Sequence, residues 1–107
     1  MIQLTDFQKL DLRIGEIVEA TPVPGTEKLL QCSIDLGNDE RVTTVAGIAL
    51  SYSPEQLVGK QVVVLANLEP VTLRGVRSQG MVLAAGDERT VSLLVPDRPI
   101  AKGSKVR

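Results

Sequence analysis

Leu30-Gln31-Cys32-Ser33-Ile34-Asp35-Leu36 alternates apolar and polar side chains at every step. Gly37-Asn38-Asp39-Glu40 then interrupts, and Arg41-Val42-Thr43-Thr44-Val45-Ala46-Gly47-Ile48 resumes. Successive side chains of a strand point to opposite faces, so the first run puts Leu30, Cys32, Ile34 and Leu36 on one buried face. The Gly-Asn-Asp cluster supplies a hairpin turn. The second run is the partner strand, with Val42, Thr44, Ala46 and Ile48 sharing a face.

Strand signals continue on both sides of this hairpin. Upstream, Leu12 and Ile14 alternate with Asp11 and Arg13, and beyond Gly15 the run Ile17-Val18-Glu19-Ala20 is out of frame with them. The change predicts a bulge or sharp coil at Gly15, as a strand bending around a barrel corner requires. Downstream, Ser53-Pro54-Glu55-Gln56-Leu57 reads as a short helix, with Ser53 as N-cap, Pro54 as first helical residue and Gln56 completing a capping box; Gly59 closes it. Residues 61–66 read as a strand buried on both faces. A loop is expected over 67–79, a strand over Met81–Ala85, a turn at Gly86-Asp87-Glu88 and a last strand over Thr90–Val95. Pro96, Pro99 and Gly103 make the tail irregular. With one short helix between the third and fourth of about five strands, the chain reads as all-β and OB-like, a barrel that commonly offers a face and loops to oligonucleotides.

Composition sets further bounds. The 107 residues suit one domain, 1–107, and a hydrophobic content of 43% argues against disorder. Met1 to Asp6 lacks the pattern of a secretion signal, no apolar run approaches a membrane span, and the single Cys32 cannot form an internal disulfide, so the cytoplasm is the expected compartment. Cys32 lies in phase with Leu30 and Ile34 and reads as a buried, inert thiol. There is no histidine, no phosphate-binding loop, no dinucleotide fingerprint and no motif of paired carboxylates. No cofactor, metal site or catalytic residue is therefore expected. Net charge is −1, but residues 1–59 carry four basic and nine acidic residues against eight and four in residues 60–107, making the halves −5 and +4. That asymmetry permits a local positive face, though taken alone it favours charge scattered over a soluble surface.

Asn67-Leu68-Glu69-Pro70 and Leu73-Arg74-Gly75-Val76-Arg77-Ser78-Gln79-Gly80-Met81-Val82-Leu83-Ala84-Ala85 resemble the tRNA-binding domain found at the C-terminus of many methionyl-tRNA synthetases and in free-standing tRNA-binding proteins. The likeness extends to Asp11-Leu12-Arg13-Ile14-Gly15-Glu16-Ile17, Glu27-Lys28-Leu29, Val45-Ala46-Gly47-Ile48, Leu57-Val58-Gly59-Lys60 and Gly103-Ser104-Lys105-Val106. It implies a five-stranded OB-fold barrel with C-terminal additions, usually a homodimer, with tRNA as partner and Lys28, Asn67, Arg74, Ser78 and Met81 against the RNA. Gln79 is added on its chemistry. Arg74 suits bidentate phosphate binding and Lys28 a point charge. Asn67, Ser78 and Gln79 offer neutral donors and acceptors. Met81 offers a polarizable apolar contact.

Structural readings stand beside these. Met81 shares parity with Leu83 and Ala85, so core packing competes evenly with RNA contact. Asn67 suits a turn cap. Phe7 and Tyr52, the only aromatics, each sit near a helical turn and are expected to plug an end of the core. So few aromatics argue against stacking of single-stranded bases, and favour recognition of a folded RNA through phosphates and 2′-hydroxyls. Two departures weigh against strong binding: Val71 and Thr72 stand where the family often has basic residues, and Pro22-Val23-Pro24-Gly25-Thr26 lacks the family's histidine. The sequence thus predicts a non-catalytic tRNA-binding module, free-standing or attached to methionyl-tRNA synthetase. A dimerisation module with faded RNA binding and a CsaA-like protein-binding chaperone are the alternatives. The opening Met1 and the Val106-Arg107 ending favour the free-standing form.

Overall fold

The computed structural model describes residues 1–87 and 89–107. A single helical turn, α1 (Leu4–Phe7), precedes β1 (Leu12–Pro22), β2 (Leu30–Asp35) and β3 (Arg41–Ala46); α2 (Pro54–Leu57) and β4 (Gln61–Leu65) follow. The second half consists of short pieces, β5 (Val71–Leu73), β6 (Val76–Ser78), β7 (Met81–Val82), β8 (Ala84–Gly86) and β9 (Val91–Leu93). Five strands form one antiparallel sheet in the order β3-β2-β1-β4-β7. Its two ends nearly meet: the Gln79 N–H donates to the Thr43 carbonyl at 2.7 Å, and the Val45 N–H donates to Ser78 Oγ at 3.0 Å. The result is a nearly closed five-stranded barrel of OB type, with α2 between its third and fourth strands. No helix among the described residues is long and apolar enough to cross a membrane.

The central hairpin follows its alternation. Leu30 faces Ala46, Cys32 faces Thr44 and Ile34 faces Val42. Asn38 and Asp39 take φ of +51° and +62° while the Glu40 N–H closes on the Gly37 carbonyl at 2.9 Å, the two-residue turn whose twist matches that of the flanking strands. Ser53 begins α2 as expected, its N–H donating to Gln56 Oε1 at 2.7 Å. Leu57 points inward to join Ile17, Leu30, Cys32, Ile34, Leu36, Ile48, Val62, Val64, Val82 and Leu93 in one core. Tyr52 packs against that core and accepts the Leu93 N–H at its hydroxyl. Phe7 does not join it; α1, a turn the helix count omitted, holds Phe7 half-buried beside the C-terminus.

β1 serves two partners: Leu12–Glu16 pairs with β4, and Glu16–Pro22 pairs with β2. The bend predicted at Gly15 is shared between two places. The register shift lies between Ile17 and Glu19, leaving Val18 as the extra residue. Gly15 is itself buried, and a Cβ built on it would lie 2.5 Å from Ile34 Cγ2 and 3.0 Å from Leu36 Cδ2. The glycine lets the opposite strand lie against the backbone of β1, which explains the frame change better than a bulge at that residue.

Three expectations need correction. The segment 67–79 is not only loop: β5 and β6 form a hairpin across it. Three-residue strands are too short to show periodicity. Met81–Ala85 is not one strand. It breaks at Leu83, whose N–H donates to the Val63 carbonyl at 2.9 Å and whose carbonyl accepts from Leu94, so β7 completes the barrel while β8 pairs with β9 outside it. β4 is buried at Val62, Val64 and Leu65, whereas Gln61 and Val63 are only half-covered. Glu88, in the expected turn at Gly86-Asp87-Glu88, lies outside the described residues; the last strand shortens to Val91–Leu93.

The tail makes a bridge rather than a free end. Beside β4's partner residues on β1, the opposite edge is occupied by residues 103–106: Gly103 N–H to the Ile14 carbonyl (2.7 Å), Ile14 N–H to the Ser104 carbonyl (2.9 Å) and Val106 N–H to the Leu12 carbonyl (2.8 Å). Two predictions follow from β1. Gly15→Ala forces a methyl group into Ile34 and should destabilise the protein by about 1–3 kcal/mol in urea unfolding. Deleting residues 96–107 exposes the edge of β1 and should lower the thermal midpoint measured by circular dichroism.

Candidate nucleic-acid interface

The loop from Val23 to Leu29 is folded on itself. Val23 is buried and its N–H donates to the Leu29 carbonyl at 3.1 Å, while the Thr26 N–H and hydroxyl both donate to the Val23 carbonyl. The Ala49 N–H donates to the Lys28 carbonyl at 3.0 Å, which fixes Lys28 against the segment after β3. Across from this loop stands the β5–β6 hairpin. Its turn is Arg74-Gly75, with φ of +51° and +81°, a two-residue turn in which both residues must be left-handed. Glycine adopts that conformation freely; Arg74 does so at a cost and is thereby held at the tip.

Lys28 and Arg74 consequently share a groove of about 360 Å³ with Gly25, Thr26, Glu27 and Leu29. Both cations are exposed, and Glu27 moderates the positive potential between them. The groove matches an anionic oxygen cluster, since a guanidinium can bind two oxygens in its plane and an ammonium can hold a third as a point charge. Arg77, which sequence reasoning did not single out, lies exposed on β6 opposite Thr72. Its signal was the alternation within the hairpin, where Val76 and Ser78 turn one way and Arg77 the other.

The other four residues fall elsewhere. Asn67 is a clamp at the end of β4: its Oδ1 accepts the Asp11 N–H at 2.9 Å and its Nδ2 donates to the Lys9 carbonyl at 2.8 Å. Both amide ends are thus engaged with the chain before β1. Ser78 is only 4% exposed, and its Oγ accepts the Val45 N–H across the barrel seam. Gln79 is half-buried, with its backbone in the same seam. Met81 is 48% exposed; Val82 points inward instead, which removes the core reading for Met81. Met81 lines a second groove of about 360 Å³, formed by Val45–Ile48 on one side and Val82–Gly86 with Val91 on the other.

Part of the C-terminal positive charge is used internally. Lys102 Nζ lies 3.0 Å from Asp35 and 3.8 Å from Glu16, and Lys105 Nζ lies 3.7 Å from Asp11. Arg13 bonds both Asp11 and Glu40, which holds its guanidinium above its ordinary pKa. The Gly37 N–H, and after it Lys102, hold Asp35 below the usual carboxylate range; Lys102 is raised in turn by Asp35. Exposed pairs of this kind are weak singly, so they guide the tail onto β1 more than they hold it there. Burial pushes the Cys32 thiol up to about 11, in line with an inert core cysteine.

Residues 12–105 match the family model described as "Putative tRNA binding domain". The chain is 50% identical over 106 residues to the methionine–tRNA ligase of Pyrococcus horikoshii, covering 99% of this chain but only 14% of that protein's length. Among solved structures, a methionyl-tRNA synthetase-related protein from P. horikoshii superposes with a TM-score of 0.92 at 33% identity, covering 100% of this chain and 98% of that one. Chaperone CsaA from Bacillus anthracis superposes with a TM-score of 0.91 at 32% identity, covering 100% and 99%.

Ser78 has a seam role by its geometry. Ser78→Ala leaves the Val45 N–H without its partner and should cost about 1–3 kcal/mol in urea unfolding. The salt dependence of RNA binding should not change.

Proposed function

The chain belongs to the tRNA-binding domain family, and from that membership we propose that it is a single-domain, non-catalytic module that holds folded tRNA through its phosphate backbone. The observation that carries this reading is the meeting of Lys28 and Arg74 in one groove, from loops far apart in sequence. Loops between the first two and the last two strands of an OB barrel are where such folds engage nucleic acid. Arg74, fixed at the hairpin tip, takes two oxygens of a phosphate; Lys28 neutralises the same or the next one. Arg77 adds a third charge along the hairpin. Tyr52 is tied into the core through its hydroxyl, so it gives bases no platform. Recognition then rests on the spacing of phosphates, which a folded RNA fixes and a flexible single strand does not.

A module of this kind supplies affinity rather than chemistry. Attached to, or associated with, methionyl-tRNA synthetase in the cytoplasm, it raises the local concentration of tRNA at the catalytic body. The ligase relative supports this partner, since there the matching segment is 14% of a longer chain. A homodimer would present two such grooves. Its interface is assigned to the end of the barrel where α1 meets the tail. There Leu4 and Leu10 are exposed around a groove of about 390 Å³ that Phe7, Val106 and Arg107 also line. The likeness to CsaA, together with the apolar groove beside Met81, favours one second reading, a protein-binding chaperone.

Arg74→Ala should weaken binding of unfractionated tRNA about tenfold at low salt, in keeping with roughly 1.5 kcal/mol for a charge-assisted hydrogen bond. It should also lower the slope of log affinity against log salt by about 0.7–0.9 for each phosphate released. Fluorescence anisotropy from about 25 to 200 mM salt, with a single-stranded RNA of equal length as control, reads both. Binding without preference for folded tRNA, or an Arg74→Ala protein that binds as the parent does, would overturn this function.

A further inference from the structure

The groove beside Met81 is lined, among the described residues, by no basic one. It opens where the barrel seam comes apart. β6 and β7 close on β3 as far as Val45, and beyond that Ala46, Gly47 and Ile48 diverge from Leu83, Ala84, Ala85 and Gly86. Its walls carry small side chains: alanine at 46, 84 and 85, and glycine at 47 and 86. Ile48 and Val82, both core residues, are among those that form its floor, and exposed Met81 stands at its edge. A Cβ built on Gly47 would meet nothing within 4 Å, so the space above that residue is empty.

We propose that this groove receives a single unstacked nucleobase of the bound RNA. The proposal rests on the tRNA-binding reading above and deepens it. Small residues at 46, 47, 84, 85 and 86, with Val45, Leu83 and Val91 beside them, line an apolar slot that suits a planar ring lying edge-on between two strands. Backbone along the slot offers donors and acceptors to the rim of a base, and the Met81 thioether can lie against its face. The neighbourhood decides for a nucleotide over an apolar peptide. Ile48 lines the slot, and the next residue, Ala49, is bonded to Lys28. That bond, from the Ala49 N–H to the Lys28 backbone carbonyl, ties the segment leaving the slot to the loop that carries Lys28, whose charge, with that of Arg74, complements the phosphates flanking a base. The chain offers no exposed aromatic to stack on, so a base gains contact only by insertion between walls.

Gly47→Leu fills the slot from open space and changes no charge. Unfractionated tRNA is titrated by fluorescence anisotropy into the parent protein, Gly47→Leu and Arg74→Ala over a range of salt. Gly47→Leu should weaken tRNA binding about five- to twentyfold, in line with roughly 1–2 kcal/mol for the contacts of one base. Its salt slope should match the parent's, whereas Arg74→Ala should lower the slope. Ala85→Leu fills the slot from the other wall and should reproduce the loss if Gly47→Leu fails to fold by circular dichroism. A folded variant of either kind that binds tRNA as tightly as the parent overturns the slot and leaves the phosphate reading standing. A parent protein that binds no tRNA at low salt overturns both. If Gly47→Leu abolishes binding of a fluorescent extended apolar peptide but not of tRNA, the slot belongs to a peptide and the proposal fails.

Discussion

Gly15 is buried under Ile34 and Leu36 with no room for a methyl group, and that contact sets the course of β1 through the barrel. Because the backbone of β1 is bare at this point, β2 can cross it closely enough to share one core. Leu12–Glu16 is then free to pair with β4 while Glu16–Pro22 pairs with β2. The extra residue at Val18 completes the change of direction. Every other strand of the barrel is placed from this one, directly or through β2 and β4. The tail closes what remains of its edge.

Charge follows the same organisation. Two lysines of the tail meet carboxylates of the acidic first half beside β1. Lys102 reaches Asp35 and Glu16, and Lys105 reaches Asp11. Part of an asymmetry that would suit a nucleic-acid footprint thus goes into docking the tail. At the loops, Lys28 and Arg74 share one groove and Arg77 lies exposed on the same hairpin as Arg74. A near-neutral chain can thus carry a cationic groove. Few phosphate contacts also mean that shape and any contact with bases must contribute to affinity.

The barrel seam divides residues of one sequence motif between structure and function. From Arg74 to Met81 the chain passes from an exposed hairpin tip, through a buried hydrogen bond at Ser78 and a backbone bond at Gln79, to an exposed thioether. Arg74 and Met81 are set at the two grooves because Ser78 and Gln79 fasten the segment to β3 between them. Asn67 likewise acts before the hairpin, holding the chain that enters β1.

The strict alternation from Leu30 to Leu36, the turn at Gly37–Glu40 and the Ser53-Pro54 capping signal are local features, and each determined its element without help from the rest of the chain. The core followed, because a period of two assigns faces as soon as the strands are known. The frame change around Gly15 was visible, but its division between a bare backbone and a bulge at Val18 depended on which side chains lay across it. The β5–β6 hairpin escaped because three-residue strands are too short to show a pattern of their own, and the break at Leu83 because it is set by distant partners, Val63 and Leu94. For the site, the resemblance supplied residue types, and chemistry made Arg74 and Lys28 plausible. Only tertiary structure brought those two into one groove, turned Ser78 and Asn67 to internal hydrogen bonds and pointed Met81 outward. Groove membership and burial are relations between distant segments, and a linear sequence states neither.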